Sequence, residues 1–292
     1  MKHDGIFVVD KPVGLSTNAV IQTIKRNLKI KKVGHAGTLD PLASGVVICL
    51  VNEATKLSNF LLQADKSYLV TMKLFEGTDT YDAEGKTIQQ DEPFFISEQE
   101  IKNVFQTFDG LTYNQTPPIY SAIKVNGKKL YDYARQEQEV EIKQRQVTIK
   151  SLKLVDITPM TITFETNVSK GTYIRSLVVD IAKALNTTAH VTSLRRLSSG
   201  PFNISEAVSL ETINWSDLLD LTTALTQSGQ SIKIAPNVTK VRQGQKIIMP
   251  NSQEDLVFLS DPAGRLLACY ERSGNKGESD VFVCKRGLNL EE

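Results

Sequence analysis

Residues 34–45 read Gly-His-Ala-Gly-Thr-Leu-Asp-Pro-Leu-Ala-Ser-Gly, and they place one carboxylate, Asp40, in a glycine-rich loop. The next residues, 46–51, read Val-Val-Ile-Cys-Leu-Val and predict a buried strand. Glycines permit sharp turns and the close approach of a large ligand. Pro41 biases Asp40 toward an extended or turn conformation. An acidic side chain on a stiff loop against an apolar strand is a candidate nucleophile or general base.

This loop has two other interpretations. An aspartate in a turn often only accepts hydrogen bonds from nearby backbone N–H groups. A loop that binds nucleotide phosphates is disfavoured, because no Gly-Lys-Ser/Thr ends the stretch and no helix pattern opens there. The loop by itself leaves the structural turn and the catalytic carboxylate both open.

Composition indicates an ordinary globular protein. The chain has 292 residues, of which 40% are hydrophobic and 23% charged, and this length suggests about two domains. No apolar stretch approaches the roughly 20 residues of a membrane span. The polar start, Met-Lys-His-Asp, is not typical of a signal peptide. We therefore expect no membrane partner.

Cysteine and histidine usage argues against metal sites and disulfides. The three cysteines, Cys49, Cys269 and Cys284, show no Cys-x-x-Cys spacing, and Cys49 lies in the apolar run as a reduced core residue would. The chain has three histidines, too few for a histidine-rich metal cluster. We expect no metal, and the cytoplasm as the compartment.

The formal net charge is +1, but basic residues are concentrated in a few segments. Such charges either solvate exposed faces or contact a nucleic-acid backbone. The acids Glu137, Glu139 and Glu141 make the longest basic segment a mixed one. The basic residues concerned are Lys25, Arg26, Lys29, Lys31, Lys32, Lys124, Lys128, Lys129, Arg135, Lys143, Arg145, Lys150, Lys153, Arg195, Arg196, Lys240 and Arg242.

Hydrophobic periodicity predicts an α+β fold, because strands and helices alternate irregularly. A capping box, Ser97 to Glu100, opens one helix. His190 is expected to be a structural side chain. Further helices are predicted at residues 17–28, 53–62 and from about Thr172, and strands at 68–75, 147–157, 161–168 and 189–198.

A polar stretch at 226–231, Thr-Gln-Ser-Gly-Gln-Ser, indicates a link between two domains, residues 1–228 and residues 229–292. Beyond it, alternating segments predict short strands at 255–260, 265–272 and 280–285. The second domain is thus expected to be small and rich in strands.

Several motifs in order along the chain resemble the TruB family of tRNA pseudouridine-55 synthases. The loop of residues 34–45 resembles the family's active-site motif, in which the aspartate is the catalytic residue. The resemblance spans residues 5 to about 208 and is looser beyond. The other matching motifs are Asp10-Lys11-Pro12-Val13-Gly14-Leu15-Ser16, Lys66-Ser67-Tyr68, residues 77–85, residues 115–127 with Tyr131 and Ala134-Arg135, residues 170–177, and Leu194-Arg195-Arg196 with Gly200-Pro201-Phe202.

The resemblance implies the pseudouridine synthase fold, a mostly antiparallel curved sheet with a cleft, followed by a small PUA-like C-terminal domain. It implies isomerisation of the uridine at position 55 in the T-loop of tRNA, with the base flipped out. The reaction breaks the glycosidic bond at N1 and rejoins the base through C5. It involves no redox change, so no cofactor is expected. Three routes are open, and each uses one carboxylate: attack at C1′, attack at C6, or a route through a glycal.

Three residues are implied to be catalytic: Asp40, Tyr68 and Arg175. Burial alone could raise an aspartate pKa from about 3.9 by as much as about 3 to 5, and a neighbouring arginine would oppose this by about 1 to 3. The site therefore needs a cation such as Arg175. Tyr68 resembles the tyrosine that stacks on the target base, although on sequence alone it could equally be a core residue.

The resemblance also implies an RNA-binding set. His35 is expected to occupy the T-loop space left by flipped nucleotides, a role that requires a flat ring and no titration. Leu194 is expected to line the uracil pocket, and Lys11, with Pro12, to brace the catalytic loop. The residues expected to contact phosphates are Lys124, Lys128, Lys129 and Arg135.

Three functional hypotheses follow: a stand-alone tRNA synthase, a non-catalytic module that refolds tRNA, and a guide-dependent synthase like the archaeal and eukaryotic relatives. The joint presence of Asp40, Tyr68 and Arg175 favours an enzyme over a module that only binds. The basic segment 124–153 and the small C-terminal domain favour the bacterial stand-alone type. The expected partner is the T-arm stem-loop of tRNA, with no guide RNA, and the expected state is a monomer.

Overall fold

Strands dominate the computed structural model, which describes residues 3–61, 64–136, 138–250, 254–276 and 279–288. The strands are β1 (Gly5–Lys11), β2 (Val33–Ala36), β3 (Ser44–Val51), β4 (Lys66–Leu74), β5 (Glu76–Thr78), β6 (Thr87–Gln90), β7 (Thr112–Gln115), β8 (Lys124–Val125), β9 (Lys128–Lys129), β10 (Arg145–Ile157), β11 (Thr161–Val168), β12 (Ala189–Ser199), β13 (Phe202–Asn203), β14 (Val208–Ser209), β15 (Leu219–Asp220), β16 (Ile232–Ile234), β17 (Ile247–Pro250), β18 (Leu256–Ser260), β19 (Leu266–Lys276) and β20 (Ser279–Gly287). The helices are α1 (Thr17–Asn27), α2 (Ser58–Leu61), α3 (Glu98–Phe108), α4 (Leu130–Arg135), α5 (Ile174–Ala184), α6 (Leu221–Gln227) and α7 (Val238–Arg242), with short 3₁₀ turns at Asn52–Leu57, Ile204–Glu206 and Trp215–Asp217.

One large sheet carries most of the chain. Its strand order is β14-β1-β3-β12-β4-β11-β10-β7, and β2, β13 and β15 pair with β3, β12 and β1. The pairings are antiparallel except those of β1 with β14 and β3 with β12. The predicted α+β class and mostly antiparallel sheet are confirmed.

The predicted strand after the glycine-rich loop is confirmed as β3, which begins two residues early, at Ser44. It lies in the middle of the sheet and is buried along almost its whole length, because apolar layers cover both of its faces. Val47, Cys49 and Val51 face the main core, while Ile48 and Leu50 face a second apolar cluster. The loop that carries Asp40 is thus attached to a rigid central strand.

Two predicted helices form as expected. In α1 the Ser16 hydroxyl accepts a hydrogen bond from Ala19 N at 3.1 Å, and the apolar side chains of Val20, Ile21 and Ile24 are buried. In α3 the capping box of Ser97 and Glu100 is complete. Predicted strands 147–157, 161–168 and 189–198 correspond to β10, β11 and β12.

Other boundaries differ from prediction for local reasons. The helix predicted at 53–62 is a 3₁₀ turn followed by the single α-turn of α2, and Leu62 lies outside the described residues. Helix α5 begins at Ile174, because Thr172 forms a turn back to the Ser169 carbonyl and Gly171 has φ +82°. Strand β4 ends at Leu74, since Phe75 has φ +67°.

A second sheet forms the C-terminal part, in the order β16-β18-β19-β20-β17. The three predicted strands are confirmed as β18, β19 and β20, but β16, β17 and α7 were not predicted. Helix α6 extends through Gln227, which shortens the predicted polar link. The sheet packs on the large one: the Phe60 and Phe258 rings lie 5.4 Å apart, within an apolar cluster that includes Ile48 and Leu266.

Candidate active site

Asp40 lies in the loop between β2 and β3, and the start of α1 holds this loop from one side. The Thr17 hydroxyl donates to Leu39 O at 3.1 Å and accepts from Leu39 N at 2.9 Å. Gly14 N donates to Pro41 O at 2.8 Å. Backbone groups on both sides of Asp40 are therefore bound to other elements, and the loop presents its carboxylate from a defined position.

Lys11, the last residue of β1, also contacts the loop that carries Asp40. Its Nζ donates to the carbonyls of Pro12, Leu15 and Pro41 at 2.9, 2.6 and 3.3 Å. The residue has no exposed surface, and burial lowers its pKa to about 8. A direct contact between Lys11 and RNA is thus inconsistent with its position, whereas the bracing role is supported.

Arg196, in β12, supports the loop from its other side. It is 1% exposed, and its guanidinium donates to the carbonyls of Val46, Thr38 and Gly37 at 2.6, 3.5 and 3.3 Å. Gly45 faces it with φ +101°, and a Cβ there would lie 2.2 Å from Arg196 O. Only glycine lets β3 and β12 approach so closely.

The predicted partner of Asp40 is in contact with it. Arg175 Nε lies 3.0 Å from Asp40 Oδ2, and Arg175 Nη1 lies 3.3 Å from Asp82 Oδ2. The same guanidinium donates to the carbonyls of Thr80 and Tyr120, both at 2.9 Å. It is therefore held by four acceptors, which set its orientation toward Asp40.

Burial raises the pKa of Asp40 above its usual value of 3.8, and the negative charge of Asp82 acts in the same direction. The positive charges of Arg175 and Lys11 oppose this rise. The Asp40 side chain remains 38% exposed, whereas that of Arg175 is 7% exposed. Burial and Asp82 thus favour the neutral form of Asp40, whereas its cationic neighbours favour the charged form.

A cavity of about 620 Å³ opens above Asp40. Tyr68, 7% exposed in β4, and Leu194, 6% exposed in β12, both line it and also belong to the main apolar core. The polar and aromatic residues that line it include Ser16, His35, Lys66, Tyr120, Ser121, Lys129, Tyr131, Tyr173 and Arg196.

His35 lines the cavity as a half-buried ring. Burial, followed by the positive charge of Arg196, lowers the pKa of His35 below its usual 6.5. Its Nδ1 is buried and meets no hydrogen-bond partner among the described residues. A neutral ring at the cavity wall agrees with a role that requires no titration.

The residues expected to contact phosphates lie on the segment 124–135, beside the cavity. Lys129 Nζ donates to the Tyr131 hydroxyl at 2.8 Å, and the Arg135 guanidinium lies 5.4 Å from the centre of the Tyr131 ring. Lys128 Nζ lies 4.4 Å from the centre of the Tyr133 ring. Lys129 lines the cavity, whereas Lys124 and Arg135 are exposed on the surface.

Several site residues were not assigned from the sequence. The sequence predicts no individual role for Asp82, Arg196, Tyr173 or Lys66, which contact Arg175 or line the cavity. Burial and the charge of Arg196 lower the pKa of Lys66 to about 8. Arg195, one of the clustered basic residues, donates to both carboxylate oxygens of Asp10, at 3.2 and 2.7 Å.

Within the described residues, no group of three or more histidine, cysteine or acidic side chains is placed to hold a metal ion. Nor does any helix in that part of the chain have both the length and the apolar character needed to cross a membrane.

His190 is buried, and its Nδ1 lies 2.8 Å from Glu76 O, which agrees with a structural role.

Comparison with known proteins matches the chain to two adjoining family models. Residues 25–174 match the N-terminal domain of TruB family pseudouridylate synthases, and residues 175–226 match the C-terminal domain of tRNA pseudouridylate synthase B. The tRNA pseudouridine synthase B of Mesoplasma florum is 48% identical over 99% of this chain and 100% of its own length. That of Mycoplasma capricolum is 47% identical over 98% of both chains.

Among solved structures, the chain resembles an H/ACA ribonucleoprotein bound to a substrate RNA containing 2′-deoxyuridine. The TM-score is 0.72, with 23% identity over 98% of this chain and 85% of the other. A Cbf5–Nop10–Gar1 complex gives a TM-score of 0.71 and 24% identity over 99% and 84%. These likenesses confirm the predicted fold.

Proposed function

The chain belongs to the TruB family of pseudouridylate synthases, and we propose that it converts the uridine at position 55 of tRNA to pseudouridine, with Asp40 as the catalytic carboxylate. Membership of the family makes it an enzyme that isomerises uridine in tRNA. The observation that carries the assignment of the site is the pair of Asp40 and Arg175, 3.0 Å apart in the large cavity.

The proposed reaction requires one ionised carboxylate and exclusion of water while the glycosidic bond is open. Arg175 keeps Asp40 charged and oriented, since its own guanidinium is fixed by Asp82 and two backbone carbonyls. Asp40 attacks the nucleotide or removes its proton, the N1–C1′ bond breaks, and the base rejoins C1′ through C5. The C5 proton is then lost and N1 takes up a proton, so uridine and product have the same composition.

Tyr68 and Leu194 form the proposed site for the uracil ring. Stacking of a base on an aromatic side chain contributes roughly 1 to 3 kcal/mol, comparable with the few kcal/mol needed to unstack a nucleotide. His35 stands at the cavity wall as a neutral ring. In the proposed complex it fills the space that the flipped nucleotides leave.

The proposed substrate is the T-arm stem-loop, without a guide RNA. The exposed Lys124 and Arg135, together with Lys128 and Lys129, form a basic surface beside the cavity that suits phosphate groups. We further propose that the enzyme acts as a monomer in the cytoplasm. Residues 229–292 are proposed to be a PUA-like domain that adds RNA contacts, and residues 1–228 to be the catalytic domain.

The test is incubation of the purified chain with an unmodified tRNA transcript and no other RNA, followed by mapping of pseudouridine. A single modified position in the T-loop supports the proposal. Pseudouridine at other positions, or only after addition of a guide RNA, would contradict the proposed substrate while leaving the chemistry intact. A minimal T-arm stem-loop should also react.

A further inference from the structure

A buried glutamine, Gln115, pairs with the backbone of the residue that precedes α5. Gln115 is the last residue of β7 and is 1% exposed. Its Oε1 accepts a hydrogen bond from Tyr173 N at 2.8 Å, and its Nε2 donates to Tyr173 O at 3.2 Å. One side chain therefore binds both polar groups of one backbone residue.

Tyr173 is the N-cap residue of α5, and among the described residues no side chain makes a capping bond there of the usual kind. Ser, Thr, Asp and Asn are preferred at the N-cap, because their side chains accept a hydrogen bond from an N–H group of the first turn. Here the side chain that binds the backbone of the N-cap residue is Gln115, which belongs to strand β7. The contact with β7 therefore fixes the N-cap residue of α5, in addition to the local turn of Thr172 that precedes it.

Further hydrogen bonds determine how the amide is oriented. Nε2 of Gln115 also donates to the Tyr113 hydroxyl at 2.9 Å, and that hydroxyl donates to Asp180 Oδ2 at 2.8 Å. An amide has two N–H donors, and a phenol has one. Because Tyr173 N–H must meet the amide oxygen, both Nε2 hydrogens face acceptors and the phenol hydrogen points to Asp180. Only this orientation of the Gln115 amide and the Tyr113 hydroxyl gives each of their hydrogens an acceptor.

A third bond joins the same two elements. Ser176, in the first turn of α5, donates from its hydroxyl to Thr116 O at 2.8 Å. Arg175 lies between Tyr173 and Ser176, and hydrogen bonds join both of these residues to Gln115 and Thr116 at the end of β7. The Arg175 guanidinium is also the group that contacts Asp40.

We propose that Gln115 is a positioning residue, which together with the Ser176–Thr116 bond fixes the start of α5 and so holds Arg175 against Asp40. Without these bonds the first turn of α5 would loosen, and Arg175 would spend less time in contact with Asp40. The consequence for catalysis rests on the proposed function, but the positioning itself can be measured without turnover.

The variant Gln115→Met removes all three hydrogen bonds of the side-chain amide while keeping a similar volume, and Asn114→Ala is a control on the same strand. Asn114 is the neighbouring residue of β7 and is exposed on the opposite face. The first measurement is the pKa of the Asp40 carboxyl, by carbon NMR of the full-length protein without RNA. We expect Gln115→Met to raise this pKa by about 1, within what one arginine neighbour provides, and Asn114→Ala to leave it unchanged.

A double-variant cycle tests whether the effect passes through Arg175. In the Arg175→Met background, Gln115→Met should raise the pKa of Asp40 no further. A full additional rise there, or a Gln115→Met protein that is less stable but has an unchanged Asp40 pKa, would overturn the proposal. If Gln115→Met does not fold, Ser176→Ala serves instead, and an unchanged Asp40 pKa would be equally decisive.

The rate of pseudouridine formation provides the second measurement. Gln115→Met should move the acidic limb of the single-turnover pH profile upward by the same amount as the pKa of Asp40, with tRNA affinity nearly unchanged. A profile that falls uniformly at every pH would contradict positioning. If the unaltered protein makes no pseudouridine but the pKa of Asp40 still responds to Gln115→Met, the proposed function fails and the positioning role stands.

Discussion

Arg175 Nε lies 3.0 Å from Asp40 Oδ2, although the two residues are separated by more than a hundred positions in the chain. Asp40 comes from a loop braced by α1, Lys11 and Arg196, and Arg175 from the first turn of α5. The sheet brings these elements together, and the positive charge of Arg175 opposes the rise in the Asp40 pKa that burial causes.

Replacing Arg175 by Met should slow catalysis much more than it weakens tRNA binding. Burial already raises the pKa of Asp40, and Arg175 opposes that rise, so its loss should raise the pKa further. Because the ionised form of Asp40 reacts, the acidic limb of the rate profile should move to higher pH, by about 1 to 3. Single-turnover rates from pH 5 to 9 provide the measurement. An unchanged profile would remove Arg175 from the site.

Lys11 and Lys124 should respond differently to substitution by Met. Lys124 is exposed, so Lys124→Met should reduce the slope of log K against log salt concentration by about 0.7 to 0.9, the value for one phosphate contact. Lys11 is buried on backbone carbonyls, so Lys11→Met should leave the slope unchanged and lower the rate by loosening the loop. Filter binding at several salt concentrations distinguishes them. A reduced slope for Lys11→Met would favour a direct RNA contact.

Gly45→Ala should destabilise the fold strongly. The added Cβ would lie 2.2 Å from Arg196 O, at a backbone φ of +101°, where β3 and β12 meet. We expect a loss of about 3 kcal/mol or more in the free energy of unfolding, the range of severe core changes. Gly110→Ala is the control: its φ is +75°, and a Cβ there would meet no described atom within 4 Å. Equal losses for the two variants in denaturant titrations would show that only backbone strain matters.

Local patterns predicted much of this structure because their causes are local. The Ser97 capping box, the apolar face of α1 and the apolar run of β3 depend on neighbouring residues alone. Family resemblance added Asp40, Tyr68, Arg175 and Leu194, which line one cavity in the folded chain.

The residues that support the site could not be predicted from local patterns, because their roles depend on contacts between residues far apart in the sequence. Arg196 resembles a surface charge until β12 pairs with β3 and buries it. Gln115 has no signal in its own segment, since its partner is the backbone of Tyr173. Asp82 belongs to an acidic turn that only the tertiary fold places against Arg175. Short elements such as β16 and α7 lack enough residues to show a periodic pattern.

The most direct test of the proposed chemistry compares the unaltered protein with Asp40→Asn on an unmodified tRNA transcript, with tRNA binding measured in parallel. The Asn side chain has nearly the same size but carries no charge and cannot supply the carboxylate. We expect pseudouridine at position 55 with the unaltered protein. For Asp40→Asn we expect a rate lower by at least about 10³-fold, the scale of loss when an essential nucleophile is removed, with affinity within a few-fold. Substantial pseudouridine formation by a folded, RNA-binding Asp40→Asn protein would contradict the assignment of Asp40 as the catalytic carboxylate.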